Sequence, residues 1–227
     1  MTSHPTGAPA PASRRYTGVD LAAAHGSVKL GIDVPLGWPQ RFVHLVSAHS
    51  QQTLLPPEDT GLDWRRTMAM RRTDLWVQQQ YGLTPLSVAT DRIAYPALRW
   101  AGIEARLRQR GTAIPRDGSG TVCEVYPAAA LRVWELPHRQ YKGPAGRAKR
   151  AQIVEGLDAV VAGFEGNGLC ESCLDSDDVL DALISALIAR EADAARTVPV
   201  RAADQDVALS EGWIHVPQSL GGPGSPI

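Results

Sequence analysis

The short and mainly apolar segment Val28 to Ile32 lacks the alternation of a half-exposed strand. Such a run is typical of a strand buried on both faces, as in a parallel sheet. Asp33 follows directly, and two prolines and a glycine in 35–39 prevent the ladder from continuing. The pattern predicts a core strand with a carboxylate at its carboxyl end, where open α/β sheets bind ligands. Capping of a turn is the alternative role for Asp33.

Two other strand-like segments also carry one acid near their end. Residues 16–20 end in Asp20, and residues 121–127 contain Glu124. Three carboxylates that meet at one sheet edge repel one another unless a cation holds them. We therefore expect Asp20, Asp33 and Glu124 to contribute to one cation site.

Helical periodicity predicts a succession of helices between these strands. We expect helices over 40–49, 63–81, 95–110, 127–134, 147–164 and 177–195, a basic loop over 137–146, a loop over 165–174 and a short strand within 211–216. The helix at 177–195 has an apolar stripe and Ser176 as its N-cap. Asp177 and Asp178 suit the positive end of the helix dipole. Asp181 lies a turn further in, at the margin of the stripe, which favours a functional role.

Length and composition narrow the class of protein. The chain has 227 residues, enough for one large α/β domain. We expect this domain over 15–218, between disordered tails at 1–14 and 219–227. The net charge is −1, and no apolar run or signal-peptide core indicates a membrane, so we expect a cytoplasmic protein without membrane partners. Three cysteines argue against a disulfide framework, and Cys170-x-x-Cys173 lacks the second ligand pair of a zinc site.

The chemistry of carboxylates without His or Cys partners is that of hard cations. Such a cluster suits Mg²⁺ or Mn²⁺, which can activate water and stabilise the leaving oxygen of a phosphodiester. Arginine and lysine side chains near the site would hold phosphate oxygens; the candidates are Arg71, Arg72, Arg92 and Lys142. The chain has no glycine-rich phosphate loop and no G-x-S-x-G elbow, which argues against Walker-type ATP hydrolysis and serine hydrolase chemistry.

Several motifs together resemble the predicted RNase H-like nuclease family, domain of unknown function 429. They are Gly18-Val-Asp-Leu-Ala, Gly31-Ile-Asp-Val-Pro-Leu-Gly-Trp-Pro, Arg72-Thr-Asp74, Pro85-Leu-Ser-Val-Ala-Thr-Asp-Arg92, Glu124-Val-Tyr-Pro-Ala-Ala, Tyr141-Lys-Gly, Ser176-Asp-Asp-Val-Leu-Asp-Ala-Leu and Glu211-Gly-Trp-Ile-His. The resemblance implies an α/β fold of RNase H-like type, with three α/β/α layers, and a metal-dependent phosphodiester site. The implied catalytic and metal-binding residues are Asp20, Asp33, Glu124, Asp178 and Asp181. The implied substrate-binding residues are Arg71, Arg72, Asp74, Arg92 and Lys142.

The start of the chain departs from the RNase H-like pattern. That pattern places two more strands and a helix between the acids that match Asp20 and Asp33, but here only residues 21–32 separate them. A parallel crossover needs about a dozen or more connecting residues. We therefore expect a pruned sheet that lacks the usual second and third strands. The segment around Asp20 then pairs antiparallel or stays detached, comes from a partner chain, or belongs to an internally deleted, poorly folding sequence.

Three functions are compatible with these observations. The leading one is a divalent-metal-dependent nuclease or phosphodiesterase that acts on nucleic acid or a nucleotide. The alternative is a catalytically inactive nucleic-acid or nucleotide-binding module, which the shortened start favours. A phosphotransferase is the third, and the lack of a glycine-rich phosphate loop argues against it.

Overall fold

The protein is described from a computed structural model, which describes residues 28–160 and 170–218. Asp20, the segment around it and both predicted tails lie outside these residues. The described chain is a mixed α/β structure with a three-stranded sheet. None of its helices is both long and apolar enough to cross a bilayer.

The sheet is small, parallel and open. Its strands are β1 (Leu30–Ile32), β2 (Val122–Val125) and β3 (Ile214–His215), in the order β1-β2-β3. Ile32 pairs with Glu124, and Glu124 pairs with Ile214. Because the strands are parallel, the residues that directly follow them lie at the same edge of the sheet. Asp33, which follows β1, lies at this edge. The predicted core strand before Asp33 is confirmed, and β3 occupies two residues of the predicted 211–216.

Helices connect and surround the strands. In chain order they are α1 (Gln40–Ser50), α2 (Leu62–Ala69), α3 (Arg72–Tyr81), α4 (Ala94–Gln109), α5 (Pro127–Val133), α6 (Arg147–Val160), α7 (Cys170–Asp175), α8 (Asp177–Asp193) and α9 (Gln205–Glu211). Single 3-10 turns precede α6 and α9, at Pro144–Gly146 and Ala202–Asp204.

One face of the sheet is covered chiefly by α8. Its apolar side chains Leu180, Ile184 and Ile188 are fully buried with Cys123 and Val125 of β2. Gly31 allows α8 to lie close to β1. A Cβ at that position would stand 2.3 Å from the carbonyl oxygen of Ser185, much closer than any real contact. The helix that carries Asp181 is therefore held directly against the strand that ends at Asp33.

The opposite face packs against α4. Trp100, Ile103 and Leu107 of this helix form a cluster with Leu30 and Val122 of the two longer strands. A third cluster joins α3, α5 and α9 to β3 through Trp76, Ala129 and Trp213. The two tryptophan rings lie 5.3 Å apart. Helices thus cover both faces of the sheet.

Two predicted elements were wrong, and one element was not predicted. The helix expected over 63–81 is two helices, and residues 170–174 of the predicted loop over 165–174 lie in α7, whereas 165–169 lie outside the described residues. The helix α9 was not expected. The break between α2 and α3 lies at Met70 and Arg71, whose backbones are extended. The Arg71 N–H bonds to the Asp74 carboxylate 2.9 Å away, which caps α3 and turns the Arg71 side chain inward. A buried ionic contact therefore overrides the helical propensity of this segment.

Candidate functional site

A cleft of about 570 Å³ opens at the carboxyl edge of the sheet. Its floor is formed by the residues that follow β1 and β2, and its walls by the loops at 84–86, 92–93 and 138–142. Parallel sheets bind their ligands in this position. The volume is within the range of sites for small organic ligands.

Asp33 lies on the floor of this cleft, immediately after β1. Its side chain is reachable by solvent, but the surrounding walls displace much of the water that would stabilise a carboxylate. This desolvation, together with the negative charge of Asp181, raises the pKa of Asp33 to about 7. Lys142 opposes the rise. Asp33 is thus balanced between its two protonation states near neutral pH.

Asp181 is held by the loop that forms one wall of the cleft. The Tyr141 hydroxyl donates to Oδ1 at 2.8 Å, and the Lys142 ammonium lies 2.7 Å from Oδ2. Burial and Asp181 together raise the pKa of Tyr141, so the phenol stays protonated. Partial burial would lower the pKa of Lys142, but Asp181 and Asp33 raise it. The ammonium is therefore charged, in contact with Asp181 and within electrostatic range of Asp33.

Glu124 lines the cleft as part of a buried ion-pair group. Both of its oxygens accept from the Arg71 guanidinium, at 2.6 and 2.8 Å, and Leu36 donates its backbone N–H to Oε2 at 3.0 Å. The same guanidinium donates to Asp74 at 2.8 and 3.1 Å. We call Arg71, Asp74 and Glu124 the buried triad.

Both carboxylates of the buried triad are paired with its arginine. Burial raises the pKa of Glu124, and the paired Arg71 opposes that rise. Burial alone would lower the pKa of Arg71, but the two carboxylates together raise it. Each charge is stabilised by its neighbours and hydrogen-bonded within the protein, as buried ions require. The arrangement is that of a structural ion pair that supports the cleft floor.

The other predicted site residues are dispersed. Arg92 is exposed and lines the cleft. Arg72 instead donates to Asp204 at 2.7 Å, away from the cleft lining. Asp178 is exposed in the first turn of α8 and does not line the cleft. The cleft lining thus contains Asp33, Arg92 and Lys142, together with Arg71 and Glu124 of the buried triad. Asp181 contacts the lining residues Tyr141 and Lys142, and Asp74 contacts Arg71.

Four titratable residues of the cleft lining were not expected to belong to the site: Tyr126, His138, Arg139 and Tyr141. Tyr126 could have been found, because it directly follows β2 as Asp33 follows β1. The other three lie in the segment predicted as a basic loop, whose fold over the sheet edge has no local signal. Partial burial and the charge of Arg132 lower the pKa of His138 below its ordinary value. His138 is thus a neutral imidazole at pH 7.

The donor set of the described residues does not fit a two-metal centre. Among residues 28–160 and 170–218, no three His, Cys, Asp or Glu side chains are grouped so that they could hold a metal ion. Glu124 is engaged by Arg71, and Asp181 by Tyr141 and Lys142. Any further carboxylate for such a centre would come from outside the described residues, where Asp20 lies.

The described residues form an α/β protein with a cleft at the carboxyl edge of a parallel sheet. The family model described as "Protein of unknown function (DUF429)" matches residues 12–205, and the chain belongs to this family. No curated protein and no solved structure matches the chain.

Proposed function

We propose that this protein hydrolyses phosphodiester bonds, as a nuclease or related phosphodiesterase, with its substrate bound in the cleft at the sheet edge. The observation that carries the proposal is Asp33: a carboxyl with a pKa of about 7, on the cleft floor, next to a charged lysine. A general base works best when its pKa lies near the working pH. The buried triad, by contrast, has no such freedom.

Asp33 acts on the water that attacks phosphorus. The ionised carboxylate takes a proton as the water oxygen bonds to phosphorus. The bond from phosphorus to the leaving oxygen then breaks, and Asp33 returns the proton to that oxygen. Hydrolysis thereby consumes one water, and Asp33 ends in its starting state. A positioned base of this kind contributes about 10²–10⁴-fold to the rate.

The cations of the cleft bind the phosphate. Lys142, Arg92 and Arg139 line the same cavity as Asp33, and Arg92 and Arg139 are exposed. They neutralise the charge that builds on the phosphoryl oxygens in the transition state. Since the net charge of the chain is only −1, this local group supplies the attraction for an anionic substrate.

The proposal extends to an RNase H-like fold and to a divalent cation. A parallel sheet with helices on both faces is compatible with that fold. Mg²⁺ or Mn²⁺ stays a prediction that requires Asp20 to join Asp33 and Asp181. The steps above use only the side chains of the described residues.

The test is hydrolysis of bis(4-nitrophenyl) phosphate and of single-stranded DNA and RNA by the purified full chain. Each reaction is run with EDTA, Mg²⁺ or Mn²⁺. We expect kcat/KM to increase with pH through an apparent pKa near that of Asp33, about 7. We expect Asp33→Asn to lower kcat/KM about 100-fold or more.

The matched control is Asp158→Asn, which makes the same change at an exposed position of α6. Its activity should equal that of the wild type. Equal loss in both variants, or activity that survives Asp33→Asn, would identify a contaminating enzyme and end the proposal. Dependence on Mn²⁺ together with loss in Asp20→Asn would bring Asp20 and the metal into the site.

A binding module without catalysis is the second candidate. The engagement of Glu124 by Arg71 and of Asp181 by Lys142 favours it, because these pairs occupy the carboxylates that a metal would need. A labelled single-stranded oligonucleotide would then bind in EDTA, more weakly as salt rises, and remain uncleaved. Arg139→Ala should weaken that binding, whereas Asp33→Asn should not.

A further inference from the structure

Arg150 of α6 is a buried cation that belongs neither to the buried triad nor to the lining of the cleft. Its side chain is 3% exposed. In the part of the chain that the structure describes, its partners are backbone carbonyls and include no carboxylate at ion-pair distance. A guanidinium keeps its positive charge in proteins, and a buried charge is costly unless its hydrogen bonds are well made.

The three carbonyls belong to two segments of the chain, the loop at 141–143 and the end of α7. The Nη1 group donates to the carbonyl oxygens of Tyr141, at 2.6 Å, and of Gly143, at 2.8 Å. These two carbonyls flank Lys142. Nε donates to Leu174 at 2.8 Å, at the end of α7 and two residues before the N-cap of α8. One guanidinium therefore joins the cleft loop to the start of the helix that carries Asp181.

We propose that Arg150 is a positioning residue that fixes the 141–143 segment against α8 and so holds Tyr141 and Lys142 on Asp181. A further contact has the same effect, since the Gly143 N–H donates to Asp177 at 3.3 Å. Arginine suits this role because its planar fork can serve several acceptors at fixed angles, whereas a lysine ammonium is a single point donor. This role deepens the proposed function but concerns the geometry of the cleft, and turnover is not needed to test it.

The test compares Arg150→Lys with Arg147→Lys. Both positions lie in α6, and the ion pairs that Arg147 makes with Glu171 and Asp175, among the described residues, are exposed. Two readouts report on the loop by NMR: the nuclear Overhauser contacts between the Tyr141 ring and the β-protons of Asp181, and the hydrogen exchange of the Gly143 amide. Thermal melts of both variants establish that they are folded.

We expect Arg150→Lys to loosen the 141–143 segment, so that the Tyr141 ring and Asp181 lose most of their nuclear Overhauser contacts. The Gly143 amide should exchange roughly tenfold faster. Arg147→Lys should change neither readout.

A folded Arg150→Lys protein with wild-type contacts between Tyr141 and Asp181 and wild-type exchange at Gly143 would overturn the inference, even if its melting temperature were lower. Arg150→Gln, which keeps two donors but not the charge, is the second variant. If neither variant unfolds cooperatively, Arg150 is a folding residue and the inference fails. If the readouts shift as expected but the wild type hydrolyses no phosphodiester, the positioning role stands and the proposed function falls.

Discussion

Two groups of carboxylates lie at the same edge of the sheet, and their surroundings differ in kind. Glu124 and Asp74 share one buried arginine, and both carboxylates are buried. Asp33 faces the cleft, and Asp181 is held by a half-exposed lysine that solvent reaches. Carboxylates near one sheet edge can therefore differ in how far a buried counterion engages them.

The largest expected effect is the loss of the buried cation. Arg71→Met would leave Glu124 and Asp74 buried, close together and without a counterion. We expect the free energy of unfolding to fall by about 3–5 kcal/mol, measured by urea denaturation. Arg92→Met makes the same change at an exposed cleft position and should cost less than about 0.5 kcal/mol. Equal losses of unfolding free energy in the two variants would contradict the difference between the two groups of carboxylates.

The pH dependence of stability tests the group that contains Asp33. Because the pKa of Asp33 is about 7 when folded and 3.8 in its ordinary state, the folded protein keeps a proton that the unfolded chain has lost. Its contribution to stability is full below the lower value and disappears as pH rises through about 7. Since the side chain is solvent-accessible, we expect a loss of only about 1 kcal/mol between roughly pH 5 and pH 8.

Asp33→Asn cannot titrate, so this part of the loss should be absent from the variant. Urea denaturation of both proteins across the pH range measures the difference directly. Parallel stability curves for wild type and variant would mean that Asp33 titrates as an ordinary carboxyl, and its assignment as a base would lose its support.

A third comparison uses two aspartates on α8. Asp181→Asn removes the charge that Tyr141 and Lys142 contact, whereas Asp178→Asn changes an exposed residue three positions earlier. We expect only the first substitution to let Tyr141 ionise at lower pH, visible in the ultraviolet absorbance of the phenolate. The stability cost should be about 1–2 kcal/mol for Asp181→Asn and near zero for Asp178→Asn. Similar tyrosine titrations in the two variants would contradict the observed contact.

The smallest effect concerns Arg72. Its side chain is 49% exposed and pairs with the buried Asp204, which also accepts from Arg201. We expect Arg72→Ala to cost no more than about 1 kcal/mol by urea denaturation, because solvent screens the pair and Arg201 remains. A cost as large as that of Arg71→Met would mean that two adjacent arginines have equal structural weight.

The pattern of apolar residues was sufficient for the elements that depend on local signals. The strand before Asp33, the strand around Glu124 and most helices follow from periodicity, prolines and caps. The division between α2 and α3 could not be predicted in this way, because it serves the contact of Arg71 with Glu124, 53 residues away. Likewise α7 is a short helix packed between α6 and α8, and its stability comes from these tertiary contacts.

Of the acids predicted from the sequence, Asp33 lines the cleft and Asp181 contacts two of its lining residues. Asp178 does not line it, and Glu124 is paired with Arg71. Asp33 and Asp181 follow from a strand end and from a charge at the margin of an apolar stripe. Arg71 and Arg72 are neighbours in the sequence, yet one is buried under the sheet edge and the other bonds to Asp204. Their different contacts depend on the extended backbone at Arg71, which neither the composition nor the residue spacing predicts.

Gly31 offers a way to change the cleft without touching any charged residue. Its missing side chain sets the spacing between β1 and α8, and hence the separation between Asp33 and Asp181. Any larger residue at 31 must push the helix outward, because the nearest atom belongs to backbone rather than to a flexible side chain. Gly31→Ala is therefore a mechanical adjustment of the distance between the two acids. A protein engineer could use it to vary the electrostatic coupling of the pair while keeping both carboxylates.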